Sequence, residues 1–118
     1  MNDQMKSVIT CDLDGKVETF SDGAETLFGY NREEVVDKMR VSDFSDGQVV
    51  LGHVINWLDE SVKKGKWEGN TAFIHKNGSE LPCRIKITPT KGSNGEHIGY
   101  CGVTTLLKDK TPDEVRPK

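Results

Sequence analysis

A chain of 118 residues with 16 basic and 19 acidic side chains carries a net charge of -3 with no basic stripe, which excludes nucleic acid as a direct partner because nothing is arranged to neutralise a phosphate backbone. No apolar run approaches the ~20 residues of a membrane span, and the opening residues Met1-Asn2-Asp3-Gln4-Met5-Lys6 lack the apolar core of a secretion signal. Hydrophobic content of 34% is modest and charged content of 30% high, yet the apolar residues are clustered, as in one folded domain.

The chain opens on a β-prone run over residues 8–13 that ends in Asp12-Leu13-Asp14-Gly15-Lys16. An Asp-Gly turn between β-prone runs predicts a hairpin, with its second strand over 16–20. The periodicity then changes. Asp22 and Glu25 are spaced as a capping box and predict a short helix over 23–28, stopped by Gly29. Asn31 and Glu34 offer a second box and a helix through about Lys38; Ser45-Asp46-Gly47-Gln48 offers a third start.

The longest helical pattern follows, over 48–64. Leu51, Val54, Ile55, Leu58 and Val62 fall within an arc of about 100°. Trp57 lies about 240° from Leu51 and is expected just outside that arc, free to touch a partner, while Asp59, Glu60, Lys63 and Lys64 read as a solvated face. Strands are predicted over 67–75, 80–90 and 97–107, with Asn77-Gly78 turning the first of these into the second. Leu81, Cys83, Ile85 and Ile87 alternate with Pro82, Arg84, Lys86 and Thr88, the signature of one buried and one wet face. The element order implies an α+β domain, an antiparallel sheet with its helices gathered on one face.

At this point the residues resemble the PAS family, over about Ser7 to Thr111. Four features carry the likeness: the Asp-Leu-Asp-Gly hairpin; Ala24-Glu25-Thr26-Leu27-Phe28-Gly29-Tyr30 followed by Glu33-Glu34-Val35; Trp67-Glu68-Gly69 with Lys76-Asn77-Gly78-Ser79 after it; and Lys108-Asp109-Lys110-Thr111, similar to the Asp-Ile-Thr ending of many relatives. The resemblance implies a five-stranded sheet in spatial order 2-1-5-4-3, three to four helices over one face, and a pocket between them. It divides the chain into an N-terminal flank (1–6), a PAS domain (7–108) and the start of a C-terminal linker or signalling helix (109–118). Thr111-Pro112-Asp113-Glu114 is itself a helix start, a capping box with proline at the first helical position, and suggests that the natural chain continues. In relatives such a helix connects to a histidine kinase, cyclase, chemoreceptor or transcription-activator segment.

The resemblance frames the cofactor question. Light-sensing relatives hold a cysteine in an Asn-Cys-Arg motif just before the long helix; here Met39-Arg40-Val41-Ser42-Asp43-Phe44-Ser45 has none, which closes covalent flavin chemistry. Haem-binding relatives use a histidine on or beside that helix. His53 sits there, but about 200° from Leu51 and so opposite the apolar arc, a spacing that disfavours haem; His75 and His97 read as exposed residues at strand ends. Non-covalent FAD is favoured by Lys66-Trp67-Glu68-Gly69, similar to the matching strand of flavin redox sensors, and disfavoured by Ser21, where those sensors carry asparagine. The default is a small metabolite, or an interior filled by Phe20, Phe28, Phe44, Trp57, Trp67 and Phe73.

Pocket-lining, cofactor-binding positions are expected at Trp67, Cys83, Ile85, Phe73, Tyr100, Val54 and Leu58. Cys11, Cys83 and Cys101, odd in number and without metal-ligand spacing, read as buried small hydrophobes in a reducing cytoplasm. No catalytic triad, paired carboxylates or metal site is legible, so no enzyme is expected. The expected function is a cytoplasmic sensory or relay domain of a larger signal-transduction protein, homodimeric, with an output domain in the same parent chain and no membrane contact by this segment. The alternative is an interaction module with a filled core and no ligand.

Overall fold

The computed structural model describes residues 6–44 and 47–115; for Ser42 and residues 47–55 only the backbone is described. Strands β1 (Lys6–Asp12) and β2 (Val17–Phe20) form the first hairpin. Its turn is built by Asp12, whose Oδ1 accepts from the backbone N–H of Asp14 (2.9 Å) and of Lys16 (2.9 Å). Helices α1 (Asp22–Phe28) and α2 (Arg32–Val35), a 3-10 turn (Val41–Phe44) and the long α3 (Gly47–Lys64) follow. Strands β3 (Trp67–Ile74), β4 (Glu80–Lys91) and β5 (His97–Leu106) then complete an antiparallel sheet in order β2-β1-β5-β4-β3, and α4 (Pro112–Val115) ends the described chain. The expected order and fold class are therefore those observed.

Side-chain parity divides the sheet. Ile9, Cys11, Cys83, Ile87, Phe73 and Thr104 point to one face and are buried there; α1 covers β1 on that side and α3 covers β3 and β4. The alternation expected in β4 is the one found, with Cys83 and Ile87 buried, Leu81 and Ile85 packed on the core, and Arg84 and Lys86 in solvent. Ala72 belongs by parity with the exposed Glu68 and Asn70, yet it is only 5% exposed. Its cover is α4, which folds back on β3 and β4 and buries Val115 in doing so. Among the described residues no helix is long and apolar enough to cross a membrane.

Three local expectations need correction. The cap of α1 is Ser21, not Asp22: its Oγ accepts from the N–H of Ala24 (3.2 Å) and of Val8 (2.9 Å), tying the helix to β1. Glu25 is then free to hold Arg32, accepting from its backbone N–H at 2.7 Å. Helix α2 stops at Val35 rather than near Lys38, although the box works as expected, with Glu34 Oε2 accepting from Asn31 N–H at 2.8 Å. Beyond Val35 the backbone is claimed by β2: Asp37 turns into the left-handed region (φ 63°) so that its N–H can donate to Val17 O, while Val17 N–H donates to Met39 O. The third start, at Ser45 and Asp46, lies outside the described residues, whereas Gly29 ends α1 as expected with φ 82°.

The third correction concerns α3. Val62 is 45% exposed and Trp57 only 7% exposed, so the buried face, marked by Trp57, Leu58 and Ser61, is turned by roughly 60° from the expected arc. The side chains of Leu51, Val54 and Ile55 lie outside the described residues. Lys63 pairs with Asp59 (3.0 Å) and Lys64 with Glu60 (2.9 Å) on the wet side.

Because Ser21 Oγ serves two backbone donors at once, Ser21→Ala is expected to lower stability by about 1–2 kcal/mol, whereas Asp22→Ala, exposed and not the cap, should cost less. Urea unfolding of both variants checks this ordering.

Candidate functional site

The interior has two unequal halves. On the α1 side, Phe28 lies against Phe44 (ring centroids 4.9 Å) and Phe73 (5.8 Å), and Phe20 stacks on Phe44 (5.8 Å). This cluster is close-packed and includes Cys83, which is fully buried. On the α3 side, Trp57 stacks on Trp67 with centroids 4.5 Å apart and planes 13° from parallel. The Trp-x-Gly sequence has a steric reason here. Trp67 and Gly69 share a strand face, and the indole lies across Gly69 so closely that a Cβ there would come within 2.5 Å of its Cη2. Bare backbone under one side of Trp67 leaves the other side free to receive Trp57.

Between the halves lies an apolar cavity of about 60 Å³. Leu58 and Trp57 of α3 roof it, Phe28, Phe44 and Phe73 form its closed end, and Ile85, Ile87, Tyr100, Gly102 and Thr104 form its floor, with Ile9, Cys11 and Val41 at the side.

The comparisons with known proteins bear on this geometry. The family profile described as PAS domain matches residues 5–112. The chain belongs to the PAS domain family.

Among curated relatives, this PAS domain is 27% identical over 108 residues to two-component system protein A of Emericella nidulans. It is 29% identical over 97 residues to the human voltage-gated delayed rectifier potassium channel KCNH8. These matches cover 92% and 81% of the chain but only 16% and 8% of those proteins. Among solved structures, the PAS domain of a protein from Colwellia psychrerythraea superposes with a TM-score of 0.82 at 23% identity, covering 90% of this chain and 89% of that one. The dark structure of the blue-light photoreceptor Aureochrome1 LOV superposes with a TM-score of 0.72 at 15% identity, covering 92% and 80%. Both likenesses speak to fold.

Of the seven positions expected at the pocket, the structure brings Phe73, Ile85, Tyr100 and Leu58 to the cavity wall. Trp67 stands behind Trp57 rather than in the wall, and Cys83 lies within the phenylalanine cluster. The side chain of Val54 lies outside the described residues. Sequence reasoning missed Ile9 and Cys11, which reach the cavity because β1 pairs with β5, Ile9 opposite Gly102 and Cys11 opposite Tyr100. Gly102 and Thr104 were findable, since they share the parity of Tyr100. Trp57, expected to face a partner, is instead buried, because Trp67 needs an aromatic cover.

The cavity is small, about 60 Å³, and no histidine is among its described lining residues. Ser21, at the position of the flavin sensors' asparagine, spends its hydroxyl on the two backbone donors described above. His75 and His97 are half-buried rather than exposed, and neither lines the cavity. His75 lies over Gly29 with its Nδ1 accepting from Asn77 N–H (3.1 Å), and His97 sits edge-on to Tyr100 at 4.8 Å with its Nε2 2.8 Å from Gly99 O. The side chain of His53 lies outside the described residues. Among the described residues no group of three His, Cys, Asp or Glu could hold a metal.

The thiols are chemically quiet. Burial pushes Cys11 up to about 11 and Cys83 up to about 12, and it raises Cys101 as well. Cys101 differs from the expected buried trio in being half-buried, on the outer sheet face. Tyr100 is raised by its burial, with Cys11 and Asp59 adding to it.

Two outcomes follow. Gly69→Ala should displace Trp67 from Trp57, lowering stability by about 1–3 kcal/mol and making tryptophan fluorescence more accessible to acrylamide. Because the folded thiols titrate above their ordinary value of 9.0, the stability they contribute is complete below that pH and is lost as pH rises toward about 11 and 12. Each thiol should then cost about 1.4 kcal/mol per pH unit above that value. Urea melts across this range should show the decline, and Cys83→Ala should make it shallower.

Proposed function

We propose that this PAS domain is the sensory and relay module of a larger signalling protein. The observation that carries the reading is the apolar cavity at the seam between α3 and the sheet, in a chain that covers only a small part of each curated relative. Leu58, Phe73, Ile85 and Tyr100 meet an occupant directly. Trp67 acts through Trp57, and Cys83 supports the wall from behind. The domain binds and relays; it does not catalyse.

The relay needs two packings that differ in energy by an amount an occupant can supply. Filling the cavity pushes Leu58 and Trp57 away from Ile85 and Ile87, and α3 can tilt only by sliding Trp57 over Trp67. Trp67 belongs to β3, and Ile85 and Ile87 of the cavity floor belong to β4, the strands whose opposite face carries α4. A shift on the inner face therefore changes the bed on which α4 rests, and residues 109–118 carry the change into an output domain of the same parent chain. We further propose a cytoplasmic homodimer, in which the partner chain stabilises one of the two packings.

One observation favours a second reading. The phenylalanine cluster fills its half of the interior without any occupant, as an interaction module with a filled core requires. The readings separate in hydrogen exchange of Leu58→Ala, which enlarges the cavity without touching α4. Relay predicts a loss of protection at Val115 and along β3 and β4 that exceeds any change in α1. A change confined to α3 would contradict relay and support the filled core. Flavin or haem bands in the absorbance of freshly purified protein would contradict the small-occupant reading outright.

A further inference from the structure

Gly102 occupies the floor of the cavity in the middle of β5, opposite Ile9 on one neighbour and Ile87 on the other. Glycine in a strand interior weakens the strand by roughly the advantage alanine holds in ordered backbone, so its presence calls for a reason. Two are usual, a left-handed backbone or a close approach of other atoms, and neither applies. Gly102 is not among the residues with positive φ. Among the described residues, a Cβ built on it would meet Ile85 Cδ1 at 3.6 Å and Ile9 O at 3.9 Å, ordinary van der Waals contact.

Gly99, three residues earlier in the same strand, shows what a required glycine looks like. A Cβ there would run into the backbone carbonyl of Cys11. At Gly99 the backbone of β1 excludes a side chain; at Gly102 there is room, and the room is cavity.

We infer that Gly102 is the residue that keeps the cavity open, and that the cavity takes a small uncharged, mainly apolar molecule of about three non-hydrogen atoms. This rests on reading the cavity as the sensory site. The size follows from the volume, about 60 Å³, less than half of the roughly 150 Å³ of a protein cavity that holds benzene. The chemistry follows from the wall. Among the described lining residues the side chains are hydrocarbon apart from the Thr104 and Tyr100 hydroxyls, the Trp57 indole N–H and the Cys11 thiol, which burial keeps protonated. A charged group would be desolvated here with no ion to pair with among the described wall residues, whereas a dissolved gas or a two- or three-carbon molecule with at most one hydroxyl or carbonyl is compatible with every one of them. An alanine methyl at position 102 would take about half the space.

Xenon is the probe, followed through amide shifts in solution. In the wild-type domain, shifts should centre on Ile85, Ile87, Tyr100 and Gly102 and saturate with xenon pressure. Gly102→Ala should fold with an unchanged or higher Tm and bind xenon at least about fourfold more weakly, the value of one methylene-sized contact. Gly99→Ala should lower Tm sharply, which shows that strand β5 reports steric clashes when they exist. The inference is overturned by no saturable xenon response in the wild type, by equal binding in Gly102→Ala, or by a Tm loss in Gly102→Ala comparable to that of Gly99→Ala. Hydrogen exchange at α4 in the same xenon-saturated sample separates this from the wider reading. Xenon bound with α4 unchanged contradicts relay and leaves the site standing; no xenon bound contradicts the site.

Discussion

Trp57 and Trp67 fix the position of α3, and most of what is distinctive in this domain follows from that contact. Each indole is a large apolar surface that a two-layer fold of this size can hide only against another layer. Trp67 lies flat on its own strand because Gly69 presents no side chain beneath it, and its upper face is then covered by Trp57 from the helix. With Trp57 turned inward, Leu58 follows onto the cavity, Ser61 is buried, and Val62 is left in solvent. The stack brings two large apolar faces together in nearly parallel planes.

The contrast with the other half of the interior gives this meaning. Phe20, Phe28, Phe44 and Phe73 interlock at several angles, and the β3–β4 turn is tied down beside them, with Lys76 N–H donating to Phe28 O and Lys76 Nζ bonded to Glu34. A cluster joined at so many orientations has no low-energy direction of motion. The cavity therefore sits between this interlocked cluster and the stacked tryptophan pair, and α4 lies against the same strands, β3 and β4, as the relay proposed above requires.

Much of this was legible from residues. The Asp-Gly hairpin, the alternation of Leu81, Cys83, Ile85 and Ile87, and the stop at Gly29 each express a local rule, and local rules survive into the fold. The sheet order did not come from any pattern; it came from the resemblance, because pairing of β1 with β5 joins the ends of the chain and leaves no periodic trace. That pairing is why Ile9 and Cys11 were missing from the expected pocket. The face of α3 was misjudged for a related reason: helical spacing ranks apolar residues by their neighbours along the helix, whereas Trp57 is buried by a demand made from another strand. Ser21 displaced Asp22 as the cap because its oxygen could serve Val8 as well, and α2 ended early because β2 needed an edge partner. In each case a tertiary bond outweighed a local preference of similar size.

The most direct test of this account is the near-ultraviolet circular dichroism of the indole pair. Two indoles held face to face should give an exciton couplet that vanishes equally in Trp57→Phe and in Trp67→Phe. Spectra of the two variants that simply sum to that of the wild type would mean that the rings do not stack in solution, and the coupling of α3 to the sheet described here would be wrong.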